Sequence, residues 1–201
     1  MPDPLLTGKA GRIDRVSVPA MRYLAIDGQG APGAAAHVAA VGALYGLAYG
    51  ARFAGKARGH DEKVGPLEGI WWSEDYAAFQ PGGDRGVWRW RMLIRAPAWL
   101  DAPALEELRA AALAKRRKDK PEVAEALPRV LLAELDEGQC LQALHLGPYA
   151  DEGPLIARMH AEAQAAGLVL AGLHHEIYLS DPSRVAPEKL KTILRQPVRA
   201  A

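Results

Sequence analysis

Apolar positions along this chain alternate, then recur at helical spacing, then alternate again, and the whole succession occurs twice. A first strand is predicted from Val16 to Asp27, with Pro19 near its start, where a missing N–H suits an edge or a bend. Val38, Val41, Leu44, Tyr45 and Ala48 then mark an amphipathic helix over Ala34–Phe53, which Gly50 and Gly55 are expected to weaken and end. Between strand and helix, Gly28-Gln29-Gly30-Ala31-Pro32-Gly33 lacks the spacing and the lysine of a phosphate cradle and reads as a turn. Two further strands are expected at Pro66–Trp72 and Val87–Ile94, separated by the turn residues Gln80–Asp84. In the second of these, Trp88, Trp90, Met92 and Ile94 share a face opposite Arg89 and Arg91.

Asp101 is placed to cap a helix reaching Lys118, with Leu100 and Leu105 as its hydrophobic staple and Lys115–Lys118 favouring its C-terminal end. A loop with Pro121 and Pro128 follows, then strands over 130–135 and 139–146, a helix from Glu152 to Ala166 closed by Gly167, and a strand over 173–179. A short helix opened by Pro187-Glu188 and a last strand from Thr192 to Val198 complete the pattern. The fold class expected is α+β: a tandem βαββ repeat in one domain over 1–201, with halves at 16–100 and 129–198 and a linking helix and loop at 101–128. Joined in one antiparallel sheet, the repeats would put their helices on one face and a ligand groove on the other, along the pseudo-twofold.

Composition narrows the function classes. With 201 residues and 49% hydrophobic content, the chain can bury a large core. A net charge of +1 with mixed signs gives no electrostatic reason to expect nucleic acid or an anionic membrane, and the basic run Lys115–Lys118 reads as a solvated helix end. The single Cys140 excludes an internal disulfide and reads as core rather than nucleophile. With no signal segment or long apolar run, a soluble cytoplasmic protein is expected, as monomer or homodimer.

Candidate chemistry concentrates in His174-His175-Glu176-Ile177-Tyr178-Leu179-Ser180-Asp181-Pro182. Alternation sends Ile177 and Leu179 toward a helix-covered core, and His174, Glu176 and Tyr178 to the other face, which is either wet surface or the floor of a cleft. His174 and His175 point to opposite faces and cannot ligate one metal ion, so no metal is expected; His174 is read as the cleft histidine and His175 as structural. Laying Gly69–Glu74 on Glu176–Asp181 puts Trp71 in the place of Tyr178. A register slip would instead match Glu68 to Glu176, and a bulge at Gly69 is expected to keep Glu68 from pointing unpaired into the core. One of Trp71 and Trp72 faces the groove, and which one depends on that bulge.

Pro19–Ala25, Pro66–Trp72, His145-Leu146-Gly147-Pro148-Tyr149, His174–Pro182 and Val185–Thr192 together resemble the gyrase-inhibitor-like (GyrI-like) small-molecule-binding domain over about residues 16–198. The nearest resemblance is to its stand-alone branch with a tryptophan pair. The resemblance implies a tandem βαββ fold and a cleft glutamate at Glu176. The wider family includes ligand-sensing domains of multidrug-responsive regulators, in which that glutamate meets cationic drugs, and some stand-alone members hydrolyse cyclopropane-bearing alkylating compounds. No DNA-binding segment is expected ahead of residue 16.

An aromatic-walled groove with one buried carboxylate suits two tasks. One is binding a hydrophobic or cationic aromatic small molecule, by stacking on Trp71, Trp72 and Tyr45 with Glu176 as counter-ion. The other is cofactor-free hydrolysis of a strained ring, with Glu176 as base and a phenol, Tyr149 or Tyr178, holding the water or polarising a carbonyl. Glu176 and Tyr149 are the catalytic candidates; Glu68, Trp71, Trp72, Tyr45, His174, Tyr178 and His145 are the ligand-binding candidates. Tyr45 at helical spacing also fits a core role, and Tyr149 after a Gly-Pro turn also fits a packing cap. A protein-interaction role would need a charged patch, and only residues 115–118 offer one.

Overall fold

The computed structural model describes residues 3–80 and 82–201; Met1 and Pro2 of the expected lead-in and Pro81 of the expected turn lie outside them. The chain runs through β1 (Ile13–Val18), β2 (Met21–Gln29), α1 (Ala35–Ala57), β3 (Leu67–Trp72), β4 (Arg89–Arg95), α2 (Ala102–Asp119), α3 (Pro121–Ala126), β5 (Leu131–Leu135), β6 (Gly138–Leu146), α4 (Gly153–Ala165), β7 (Leu168–Leu170), β8 (His174–Tyr178) and β9 (Lys191–Ala200). The fold is α+β, with a tandem βαββ pattern in β2-α1-β3-β4 and β6-α4-β8-β9. The single strand expected over Val16–Asp27 is two, because Pro19-Ala20 breaks the ladder: β1 pairs with β6 and β2 with β4 and β5. Contacts divide the chain into two units, one of residues 1–20, 66–70 and 136–201 and one of residues 21–65 and 71–135.

In the first unit the strand order is β1-β6-β9-β8, followed by residues 67–70 of β3, and β7 pairs with the far end of β9. Leu141, Ala143, Leu194 and Val198 of the sheet pack against Met159 and Ala163 of α4 in one buried cluster. Gly167, at φ +68, ends α4 as its position predicts. The register pairs Ala143 with Leu194 and Leu194 with Glu176. Side chains opposite one another share a face, so Glu176 lies on the face that α4 covers. This reverses the expectation for β8: alternation does separate His174, Glu176 and Tyr178 from His175 and Ile177, but the helix takes the former set. The opposite face is closed by the N-terminal segment. Gly8 lies against Leu144 and Ile193, and Ile193 is the partner of Ile177.

On that second face a row of polar side chains crosses the sheet. Gln142, Arg195 and His175 are successive cross-strand partners, all buried. The Arg195 guanidinium donates to Gln142 Oε1, to Glu137 Oε2 at 3.0 Å and to the Leu5 carbonyl at 2.8 Å, while Gln142 donates to the carbonyls of Pro4 and Thr7. His175 stands between two carboxylates, with Nδ1 3.0 Å from Glu137 and Nε2 3.1 Å from Glu68. Two cations and two anions thus balance in the interior, as burial of charge demands. Glu68 does point inward, and it is paired with His175.

In the second unit β4, β2 and β5 form an antiparallel sheet. α1 buries an Ala-rich face (Ala39, Ala40, Ala43, Leu44, Leu47, Ala48, Ala51), whose small side chains permit close approach. It continues through Gly55 to Ala57 rather than ending near Phe53, because Gly55 is a packing residue: a Cβ there would meet the Trp99 indole nitrogen at 2.6 Å. Asp101 caps α2 by accepting from the Ala104 N–H, with Leu100 and Leu105 buried beneath. The segment expected as a loop around Pro121 is the helix α3, with proline at its first position, where no N–H is required.

Candidate functional site

In the first unit the side chains of Glu176, Tyr178, His174, Thr192 and Glu152 lie between the sheet and the beginning of α4. β8 presents His174, Glu176 and Tyr178 on one side by alternation. On β9, Thr192 is the partner of both Tyr178 and His145. Residues 149–151 make a single 3-10 turn that leads into α4, and Glu152 at the helix entrance makes no capping bond with its side chain. That side chain is instead buried, at 4% exposure, with its Oε1 unpartnered among the described residues. Thr192, on the strand below, favours its ionised form.

Tyr178 donates its hydroxyl hydrogen to Glu176 Oε2 at 2.7 Å. Burial pushes the Glu176 carboxyl up, against the Tyr178 bond and the positive His175 beyond the strand, which favour the anion. Burial also raises Glu152, further than Glu176, and the neighbouring Glu176 charge adds to the rise. Two carboxyl groups within electrostatic reach in a poorly hydrated site cannot both ionise at neutral pH without large cost. His174 Nε2 lies 3.8 Å from Glu176 Oε1, but burial and then the charges of His175 and His160 hold the imidazole down to about 3, so it is neutral and no ion pair forms.

Tyr149 is 39% exposed, and its ring meets that of Tyr178 edge-on at 5.5 Å. Burial, reinforced by Glu152, Glu176 and Asp181, pushes its phenol up to about 12, so it remains a hydrogen-bond donor at neutral pH. The turn that presents it is fixed from two sides. His145 Nε2 bonds the Pro148 carbonyl at 3.0 Å, and the Gly147 N–H donates to Leu190 while Gly147 takes φ +128, a glycine conformation. His145 thus supports Tyr149 from beneath.

The remaining candidates lie elsewhere. Glu68 belongs to the buried row with His175. In the second unit Trp71 is buried, stacked on His37 at 5.8 Å and edge-on to Trp88 at 5.9 Å, while Trp72 is half-buried. Tyr45 is half-buried and stacks on Tyr49, which stacks on the exposed Phe53. Glu152, Thr192 and His37 were not singled out from the sequence. An acidic residue at a helix start reads as an ordinary dipole partner, and only the absence of a cap bond distinguishes Glu152.

A family model described as the GyrI-like small molecule binding domain matches residues 99–199. Among solved structures, the chain is similar to an uncharacterized conserved protein from Listeria innocua, at 37% identity over 94% of this chain and 93% of that one, with a TM-score of 0.83. It is similar to a hydrolase from Listeria innocua at 35% identity over 97% and 95% of the two chains, with a TM-score of 0.81. The EcmrR C-terminal domain shares the fold alone, at 8% identity and a TM-score of 0.56, covering 94% of this chain and 98% of that one. No curated protein matches.

Proposed function

The chain belongs to the GyrI-like small-molecule-binding family, and from that premise we propose that it is a hydrolase, one that adds water across a strained cyclopropane ring in hydrophobic alkylating compounds. The observation that carries this reading is Glu176: a carboxyl group raised by burial, gripped on one oxygen by Tyr178, with the Tyr149 phenol nearby. A base raised toward the working pH binds a proton well while still being ionised in a useful fraction, the compromise general-base catalysis needs.

The step balances with these side chains alone. A water oxygen bonds to a ring carbon and the strained C–C bond breaks. Its electron pair moves through the conjugated system onto the carbonyl oxygen. The water proton passes to Glu176, and the oxygen gaining charge receives a hydrogen bond from Tyr149. The hydrolase from Listeria innocua supports the reaction class at the level of its name.

A second reading is a binding module that sequesters a cation, and one feature favours it: the Glu176 carboxylate has the Tyr149 and Tyr178 rings beside it, a combination that attracts an aromatic cation. The two readings separate in one experiment. Purified protein is incubated with a duocarmycin-type cyclopropane alkylator and the ring-opened, water-added product is followed by mass spectrometry, wild type against Glu176→Gln. Product from wild type alone supports the hydrolase; saturable binding without product in either protein overturns it and leaves the binding module.

A further inference from the structure

Glu152 has no part in the reaction as written above, yet it occupies the same side of the sheet. Its carboxyl group is buried at 4% exposure, carries an oxygen without a hydrogen-bond partner among the described residues, and makes no cap bond to the helix it begins. A buried carboxyl that serves neither its helix nor an ion pair costs stability. Its surroundings place it within electrostatic reach of Glu176. Thr192, which favours the Glu152 anion, is the cross-strand partner of Tyr178, and Leu194, two residues further on the same face of β9, is the partner of Glu176.

We propose that Glu152 is the proton donor that works opposite Glu176, the two carboxyl groups holding one proton between them in the resting site. The inference rests on the hydrolase reading and deepens it by giving the ring-opening step its acid. In the resting pair Glu152 is the carboxylic acid and Glu176 the carboxylate. As water attacks, Glu176 takes the water proton; Glu152 then gives its own proton to the oxygen that gained charge, leaving a neutral product. The pair resets when the proton on Glu176 returns to Glu152. One water is consumed, and no charge remains on protein or product.

Other titratable groups face the pair. Tyr178 donates to Glu176, and the neutral His174 lies beside it. His175 acts on Glu176 through the strand, His160 acts on His174 from α4, and Tyr149 feels both carboxyls. Through the neutral range His174 stays neutral, His175 positive and Tyr149 protonated.

The test combines kinetics with spectroscopy of the full chain. Glu152→Gln keeps the volume and a hydrogen-bonding group but has no proton to give. Turnover of the cyclopropane alkylator should fall by roughly 10²–10⁴, and the alkaline limb of the wild-type pH profile should disappear, while the acid limb set by Glu176 stays. In ligand-free wild type at pH 8, an infrared band of an un-ionised carboxyl should be present; it should be absent in Glu152→Gln. A wild-type rate and profile in Glu152→Gln, with Glu176→Gln inactive, overturns the donor role and leaves the hydrolase reading intact. If wild type turns nothing over, the hydrolase reading and the donor step fall together, and the infrared band alone decides whether the shared proton exists.

Discussion

The Tyr178 hydroxyl hydrogen bonds Glu176 Oε2 at 2.7 Å from two residues along the same strand. Alternation puts both side chains on one face, so strand geometry alone brings phenol and carboxylate together. The bond favours the ionised carboxylate against burial, which pushes Glu176 up to about 7. Tyr178→Phe removes that support without changing the ring. The acid limb of Glu176-dependent activity, or of cation binding, should then move to higher pH, because the group must lose its proton with less help. A charge-assisted bond of this type is worth about 1.5–3 kcal/mol. A pH titration of rate or affinity, wild type against variant, reads the displacement directly.

The buried row on the other face sets a pH window for stability. Burial alone would lower His175, but its bonds to Glu137 and Glu68 outweigh that and raise it to about 9. A histidine raised above its unfolded value near 6.5 contributes fully below that pH, and the contribution is lost as pH rises through about 9. Glu137 is the reverse case: burial raises it, but His175 and Arg195 bring it below its ordinary value, so its contribution is lost on acidification. Denaturant midpoints should therefore be flat just below pH 6.5 and fall from about pH 6.5 to 9, by on the order of 3 kcal/mol at most. Arg195→Met leaves Glu137 with His175 alone, takes the donor from the Leu5 carbonyl, and should cost about 3–5 kcal/mol. Chemical denaturation of the variant checks it.

How much of this was legible depends on whether the information was local. The alternation of β8 and the Gly147-Pro148-Tyr149 turn are written in adjacent residues, and so was the separation of Glu176 and Tyr178 from His175. The partners of His175 are not. Glu137 is 38 residues away, and pairing with Glu68 depends on which strands lie side by side. The covering of the Glu176 face by α4 is not legible for the same reason: alternation separates two faces but does not say which one a helix takes. Gly55 looked like a helix stop because its packing partner, Trp99, is remote in sequence. Pro121 looked like loop although proline is at home in a first helical turn.

Glycines in the second unit give a paired stability test. Gly46 lies inside α1, and a Cβ there would have no neighbour within 4 Å. Gly46→Ala should stabilise by about 0.5–1 kcal/mol through helix propensity and a less flexible unfolded chain. Gly28 is the register partner of Trp90, whose ring lies over it, and a Cβ would come within 2.1 Å of that ring. Gly28→Ala should destabilise by about 1–3 kcal/mol, because a fully buried indole must move in a packed core. Thermal or denaturant unfolding of the two variants should show opposite signs.

His145 offers a test of positioning as distinct from contact. Its ring bonds the Pro148 carbonyl at 3.0 Å and thereby holds the turn that presents Tyr149. Tyr149→Phe removes the donor proposed for the developing oxyanion and should lower kcat by roughly 10²–10³ while KM changes little, because such a hydrogen bond strengthens as charge develops. His145→Ala leaves the phenol in the molecule but releases its turn, so kcat should fall in the same sense by less. His145→Gln, whose amide can still reach the carbonyl, should recover part of the loss. In the double variant Tyr149→Phe with His145→Ala, the second change should add little, since its effect runs through the phenol already removed. Steady-state kinetics on the four variants reads this coupling. Additive losses would show that His145 acts by some route other than Tyr149.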